Sequence, residues 1–266
     1  MMYKLALNAG HYLGTAGKRC HYSLDPNETR EWWLNDRICD KIEAILSEYD
    51  GIEILRIDDA TGQTDTSLQD RTDKANNWGA DFWLSIHHNA AGKVFSGGGI
   101  VAYAHTNADT KSIEWQHALY RASVSATGLA GNRSNGVPKK DLHELRETKM
   151  PSVIMECGFM DSSVDVPIIL SEDYANKLAQ SLCDVVIQKS GAIKKPEAPV
   201  IPEAPSFEPY GMRTMVSPYT IYNDEGNRIG QIDEGIPITV TGEKTVGDIV
   251  LCKIEGWIPK EYLRKD

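Results

Sequence analysis

The sequence predicts an α/β fold, a mostly parallel twisted sheet with helices on both faces, joined to a small all-β barrel. Three observations carry this expectation. Short β-rich runs alternate with helical patterns up to residue 189, residues 190–208 read as a linker, and residues 209–266 hold only strand-like runs separated by turns.

In chain order the strand runs are YKLALN, IEILRI, FWLSIH, GIVAYA and SVIMEC, and the helical patterns cover 31–49, 67–78, 110–130 and 172–189. The first helical pattern sets Leu34, Ile38, Ile42, Ile45, Leu46 and Tyr49 on one stripe at spacings of three and four, which suits a helix lying on a sheet. The second opens with Ser67 and Asp70, spaced as in a capping box.

The segment SGAIKKPEAPVIPEAPSFE (190–208) repeats a P-E-A-P theme with neither helical nor strand period, the composition of a stiff, extended linker. A proline-rich loop within one domain is the alternative. Downstream, strand-like runs are punctuated by NDEGN, DEG and GEK, which are expected to be turns of the barrel. The expected organisation is an α/β domain over 1–189, the linker over 190–208 and the barrel over 209–266.

Composition narrows the function. Hydrophobic residues at 41% and charged residues at 25% match an ordinary globular protein. A formal net charge of −10 argues against nucleic acid as a partner, because phosphate binders carry a basic face. No segment approaches the ~18 apolar residues of a membrane-spanning helix, and the N-terminus lacks the apolar core of a secretory signal. The expectation is a product made in the cytoplasm, without membrane insertion, that acts elsewhere only after release. The five cysteines are scattered, odd in number and contain no C-x-x-C pair, so they are expected to be reduced, mostly buried thiols.

Candidate chemistry gathers where the expected strands end. His11 follows YKLALNAG, His87 and His88 end FWLSIHH, and Glu156 ends SVIMEC. In open α/β sheets ligands and catalytic groups collect beyond the carboxyl ends of the strands, so groups distant in sequence can meet there. A catalytic zinc site needs three neutral-histidine or carboxylate ligands and an open fourth position, and no H-E-x-x-H helix is present to supply them. Gly10, Gly14 and Gly17 around His11 suggest a loop whose backbone approaches something closely. Taken singly, each histidine could be a structural residue. Glu156 lies in the apolar run VIMECGFM, where an ionised carboxylate needs a partner charge or a metal; a buried salt bridge is its other reading.

Together these residues resemble the family-3 N-acetylmuramoyl-L-alanine amidases over roughly residues 3–189. The pieces are NAGHYLG with His11, REWWLND with Glu31, LSIHHNA with His87 and MPSVIMECGFMD with Glu156. The run SLQDRTDKANNWGADFWLSIHHNA matches the family's pattern over more than twenty positions and is the strongest signal. Glu31 is preferred to Glu28 because Leu34 and Asn35 follow it at the family's spacing. His87 is preferred to His88 because the family keeps histidine directly after S-I. Strand alternation sharpens that choice, since Ile86 and His88 must face opposite His87. The loop HYLGTAGKRC departs from the family's double-glycine segment.

The resemblance implies a phosphorylase/hydrolase-like sheet, Zn2+ held by His11, Glu31 and His87, and Glu156 as the proton-transferring group. The reaction it implies is hydrolysis of the amide between N-acetylmuramic acid and L-alanine in bacterial peptidoglycan. The segment 209–266, through IGQIDEG and GWIPKEYL, resembles bacterial SH3-type wall-binding domains, whose partners are peptidoglycan and other cell-wall polymers. The pairing of the two modules, with no secretory signal in view, suggests a phage endolysin; a host autolysin and a sporulation enzyme are the alternatives. The competing expectations are a zinc peptidase of the peptide stem and a catalytically idle wall-binding protein.

Overall fold

The computed structural model describes residues 2–131 and 136–196, followed by the strand segments 210–213, 219–222, 228–232, 237–246, 249–255 and 263–264. The chain divides into two compact units, Met1–Pro196 and Glu197–Asp266. In order, the first unit contains β1 (Tyr3–Ala9), α1 (Glu31–Leu46), β2 (Tyr49–Asp50), β3 (Ile52–Arg56), α2 (Leu68–Trp78) and β4 (Phe82–Asn89). It continues with β5 (Ile100–Tyr103), α3 (Thr110–Thr127), α4 (His143–Arg146), β6 (Ser152–Phe159), α5 (Val166–Ile169), α6 (Glu172–Ser190) and β7 (Ile193–Lys194).

Five strands make one sheet in the order β3-β1-β4-β6-β5. The first four are parallel and only β5, at the edge beside β6, runs antiparallel. Parallel neighbours need crossover connections, and α1 and α2 supply them between β1, β3 and β4. The result is the mixed, mostly parallel α/β sheet that the alternating pattern predicts.

Strand alternation splits the core in two. Leu5, Leu7 and Ala9 of β1, Phe82, Leu84 and Ile86 of β4, and Val153, Met155 and Cys157 of β6 pack with Leu34, Ile38, Ile42 and Leu46 of α1 and Leu178, Leu182 and Val186 of α6. On the opposite face Ala6, Trp83 and Ala75 form a smaller cluster with Ile57 and Ala80. Polar residues on that second face, Asn8, Ser85 and Glu156, are thereby directed away from the main core. Arg56 ties β3 to α1, pairing with Asp36, Asp40, Glu43 and Asp58, and the Oδ1 of Asp58 also accepts from the backbone N–H of Ala9.

The helix expected over 31–49 ends at Leu46, since Tyr49 and Asp50 leave it to pair with Lys194 and Ile193. Ser67 caps α2 by accepting from the N–H of Asp70 at 3.1 Å, while its hydroxyl donates to the Asp70 carboxylate, so the box closes side chain to side chain. The helices α4 and α5 span four residues each, too few for a period to be read. Ser190 to Lys194 of the expected linker belong to the first unit, as the end of α6 and the strand β7, and residues 197–208 lie outside the described residues. Cys20, Cys39, Cys157 and Cys183 are free and buried; the side chain of Cys252 lies outside the described residues.

The second unit contains β8 (Tyr210–Arg213), β9 (Tyr219–Tyr222), β10 (Arg228–Ile232), β11 (Pro237–Val246), β12 (Ile249–Glu255) and β13 (Leu263–Arg264). They form two antiparallel three-stranded sheets, β13-β10-β9 and β12-β11-β8. The NDEGN and DEG segments lie outside the described residues. GEK, expected to be a turn, instead lies inside β11: the register shifts between Val240 and Gly242, a bulge that absorbs the glycine without ending the strand.

Leu84 is fully buried at the centre of the sheet. Leu84→Ala should destabilise the first unit by about 2–5 kcal/mol, measured by urea unfolding, because the packed helices can only partly collapse on the cavity.

Candidate active site

The site is assembled at the carboxyl ends of β1, β4 and β6. After β1 the N–H of Gly10 donates to the carbonyl of Ile86 at 2.9 Å, which holds the chain against β4 for one more residue. His11 then takes a left-handed backbone conformation, φ 69°, which a side chain other than glycine adopts at a cost of about 1–2 kcal/mol. Two buried side chains hold the loop in place. Arg71 of α2 donates to the carbonyls of Ala9 and His11, both at 2.8 Å, and Asn35 of α1 donates to the carbonyl of Gly10 at 3.0 Å.

Glu31, the first residue of α1, is 1% exposed. Its Oε1 lies 3.3 Å from His11 Nε2 and 3.2 Å from His87 Nδ1, and the two rings meet edge to face with centroids 5.0 Å apart. Each of the three residues offers one ligand atom, and these atoms all lie within 4.8 Å of one another. The sequence therefore singled out a set of side chains from three separate segments that the fold brings to one point.

Strand alternation separates His87 from His88. Ile86 sits in the main core and His88 turns back toward α1, where its Nδ1 donates to Asn35 Oδ1 at 2.8 Å. Burial pulls the His88 imidazole down to about 3, so it stays neutral and holds Asn35 in the orientation that anchors Gly10. His87 lies on the other face, its ring against Gly10: a Cβ added to that glycine would fall 2.1 to 2.4 Å from three ring atoms.

Glu156 stands beside His87 in register on β6. Its Oε2 is buried without a hydrogen-bond partner, and the salt bridge that was its alternative reading does not form at this atom among the described residues. Burial is the main influence that pushes its carboxyl up to about 7; His87 opposes the rise, Glu31 adds to it, and Lys18 and Lys140 also oppose it. A carboxyl poised near neutrality can take and return a proton at physiological pH.

Sequence reasoning assigned no role to Glu144, a buried carboxylate of α4 whose Oε1 is 3.6 Å from His87 Nε2. Arg71 and Asn35 stood within the matched runs only as spacing marks, and Asn8, which joins Arg71 to Glu144, lay inside a strand pattern. Only Asn8 carries a signal of its own, as a polar residue in a largely apolar strand run. Around His87 the acidic groups prevail: burial works against its cation, yet Glu144 and Glu31 raise its imidazole to about 10. Such a pocket favours a cation. Two imidazoles and one carboxylate are the donor set of catalytic zinc, and the buried Glu31 Oε2, left without a hydrogen-bond partner, fits the same requirement.

Comparison with known proteins places the chain. The family profile described as N-acetylmuramoyl-L-alanine amidase matches residues 5–188. The chain belongs to this family. Among its relatives is the sporulation-specific N-acetylmuramoyl-L-alanine amidase of Bacillus subtilis (strain 168), 32% identical over 165 residues, which covers 60% of this chain and 61% of that protein. An endolysin of Bacillus phage SPP1 is 28% identical over 163 residues, covering 60% of this chain and 58% of that protein. The chain thus spans about three fifths of the length of these curated relatives. The crystal structure of an N-acetylmuramoyl-L-alanine amidase from Clostridium difficile 630 superposes with a TM-score of 0.63 at 28% identity, covering 70% of this chain and 96% of that one. The family match holds all four side chains proposed from the sequence within its bounds.

Because the His87 ring rests directly on Gly10, Gly10→Ala should displace it. Affinity for a divalent ion is expected to fall by about tenfold or more, as when groups that orient a metal ligand are altered. Competition against a chromophoric chelator measures this, with circular dichroism confirming the fold.

Proposed function

We propose that this chain is a zinc-dependent amidase that cleaves the amide between N-acetylmuramic acid and L-alanine in bacterial peptidoglycan. The observation that carries the proposal is the convergence of His11, Glu31 and His87 within 4.8 Å, beside the proton-poised Glu156. Family membership supports the choice of bond.

In this reading His11, Glu31 and His87 hold the ion, which when bound acidifies water and polarises a carbonyl. The rest falls to the protein. Glu156 accepts the proton of the attacking water through its carboxylate and passes it to the departing nitrogen, which must leave protonated because an amide anion is too basic to be expelled. Glu31, at the N-terminal end of α1, meets the positive end of the helix dipole, which favours its ionised form. His11, held by Arg71 and Asn35 through its loop, has little freedom to leave the site.

The described strands of the second unit, paired antiparallel in two three-stranded sheets, suit the proposed SH3-type barrel. We assign residues up to Pro196 to the catalytic module, 197–208 to a proline-rich linker and 209–266 to a wall-binding module. Peptidoglycan and other wall polymers are its partners in this reading. The likeness to the SPP1 endolysin fits a phage endolysin and that to the sporulation-specific amidase a host enzyme; in the endolysin reading the chain is made in the cytoplasm and acts at the wall after release. Among the described residues no helix is long and apolar enough to cross a membrane.

Digestion of purified peptidoglycan tests the bond. New L-alanine amino termini are the expected product, and free amines on other stem residues would favour a peptidase. Glu156→Gln should keep its metal content while turnover falls about a hundredfold or more. Near-normal turnover with unchanged metal content would remove Glu156 from this role.

A further inference from the structure

We infer that Glu144 is a positioning residue: it accepts the Nε2 proton of His87 and so fixes the tautomer and ring orientation with which that histidine meets the metal ion. The inference rests on the metal-site reading above. It begins from the two edges of one ring. Nδ1 of His87 faces Glu31 Oε1 at 3.2 Å, on the side of His11, while Nε2 faces Glu144 Oε1 at 3.6 Å.

A neutral imidazole has one lone pair and one N–H. If the Nδ1 edge, which faces Glu31 and His11, supplies the lone pair, the proton must sit on Nε2. That nitrogen is buried and has no partner within hydrogen-bond distance. A buried donor left unsatisfied costs about 1–3 kcal/mol, and Glu144 Oε1, one short step away, is the acceptor on that edge. Solvent reaches only 6% of the Glu144 side chain, so it is not placed to exchange protons with substrate water.

The surroundings of Glu144 are built to hold it. Asn8 Nδ2 donates to its Oε2 at 3.4 Å and to Ser85 Oγ at 2.9 Å, and the Oδ1 of Asn8 accepts from Arg71 at 2.6 Å. The same guanidinium reaches the carbonyls of Ala9 and His11. One buried arginine thus steadies both the loop that carries His11 and the carboxylate that orients His87. A carboxylate acceptor also raises the basicity of the ligating ring, which a neutral acceptor does to a smaller degree.

The test compares the full-length chain with Glu144→Ala and Glu144→Gln, measuring zinc affinity by chelator competition and the His87 tautomer by 15N-detected NMR of the zinc-loaded protein. The expected wild-type result is a His87 proton on Nε2. Zinc affinity should fall about 10–100-fold in Glu144→Ala. Glu144→Gln, which keeps shape and an acceptor oxygen but not the charge, should lie between the two. A folded Glu144→Gln variant that binds zinc as tightly as wild type, or a wild-type His87 proton on Nδ1, would overturn the inference while leaving the metal site intact. A wild-type chain that binds no zinc would instead overturn the metal-site reading, and this inference with it.

Discussion

A carboxylate with 1% exposure at the first turn of a helix needs a counter-charge, and the rest of the site depends on how Glu31 obtains one. Lys18 comes no nearer than 3.5 Å and is itself 43% exposed, too solvated to neutralise the group alone. The nearer partners are two imidazole nitrogens from different segments, one after β1 and one at the end of β4. An imidazole that ligates a metal does so in its neutral form and cannot itself cancel the charge. Placed around one carboxylate oxygen with Glu144 and Glu156 close by, they form an acidic pocket whose donors suit the divalent cation proposed for it.

The sheet makes this geometry possible and also limits it. Parallel strands put their carboxyl halves on one edge of the sheet, so His11 just after β1, His87 near the end of β4 and Glu156 in the second half of β6 meet at a common point. Alternation then assigns each residue a side. Leu84 and Ile86 face the helices of the main core, whereas Ser85 and His87 face the polar side with Asn8 and Glu156. The register between β4 and β6 shifts after His87, and His88 turns to the helix face to hold Asn35. Two adjacent histidines thus do different work: one faces the site and the other braces the loop that carries His11.

Much of this was legible in the sequence, for identifiable reasons. The five central strands follow from β-rich runs, and the stripe from Leu34 to Leu46 places α1 on the sheet because helical spacing leaves only one apolar face. His11, Glu31, His87 and Glu156 could be named because each sits in a short run whose residue types match the family's pattern. The supporting carboxylate Glu144 could not, since its helix is one turn long and its partner His87 lies far away in sequence. The bulge at Gly242 reads as a turn in the sequence because glycine beside charged residues signals both, and only strand pairing separates them. The early end of α1 was hidden for a similar reason: Tyr49 continues the apolar stripe but is drawn into pairing with Lys194, a residue the composition assigns to the linker.

The proposal that His11, Glu31 and His87 share one ion binds these observations together. Anomalous diffraction at the zinc absorption edge, from crystals of the chain grown with stoichiometric zinc, tests this directly. The account predicts a single strong peak bounded by these three side chains, with Glu156 facing the open side. A peak held by a different ligand set, or none between these three residues in a well-ordered crystal, would contradict it.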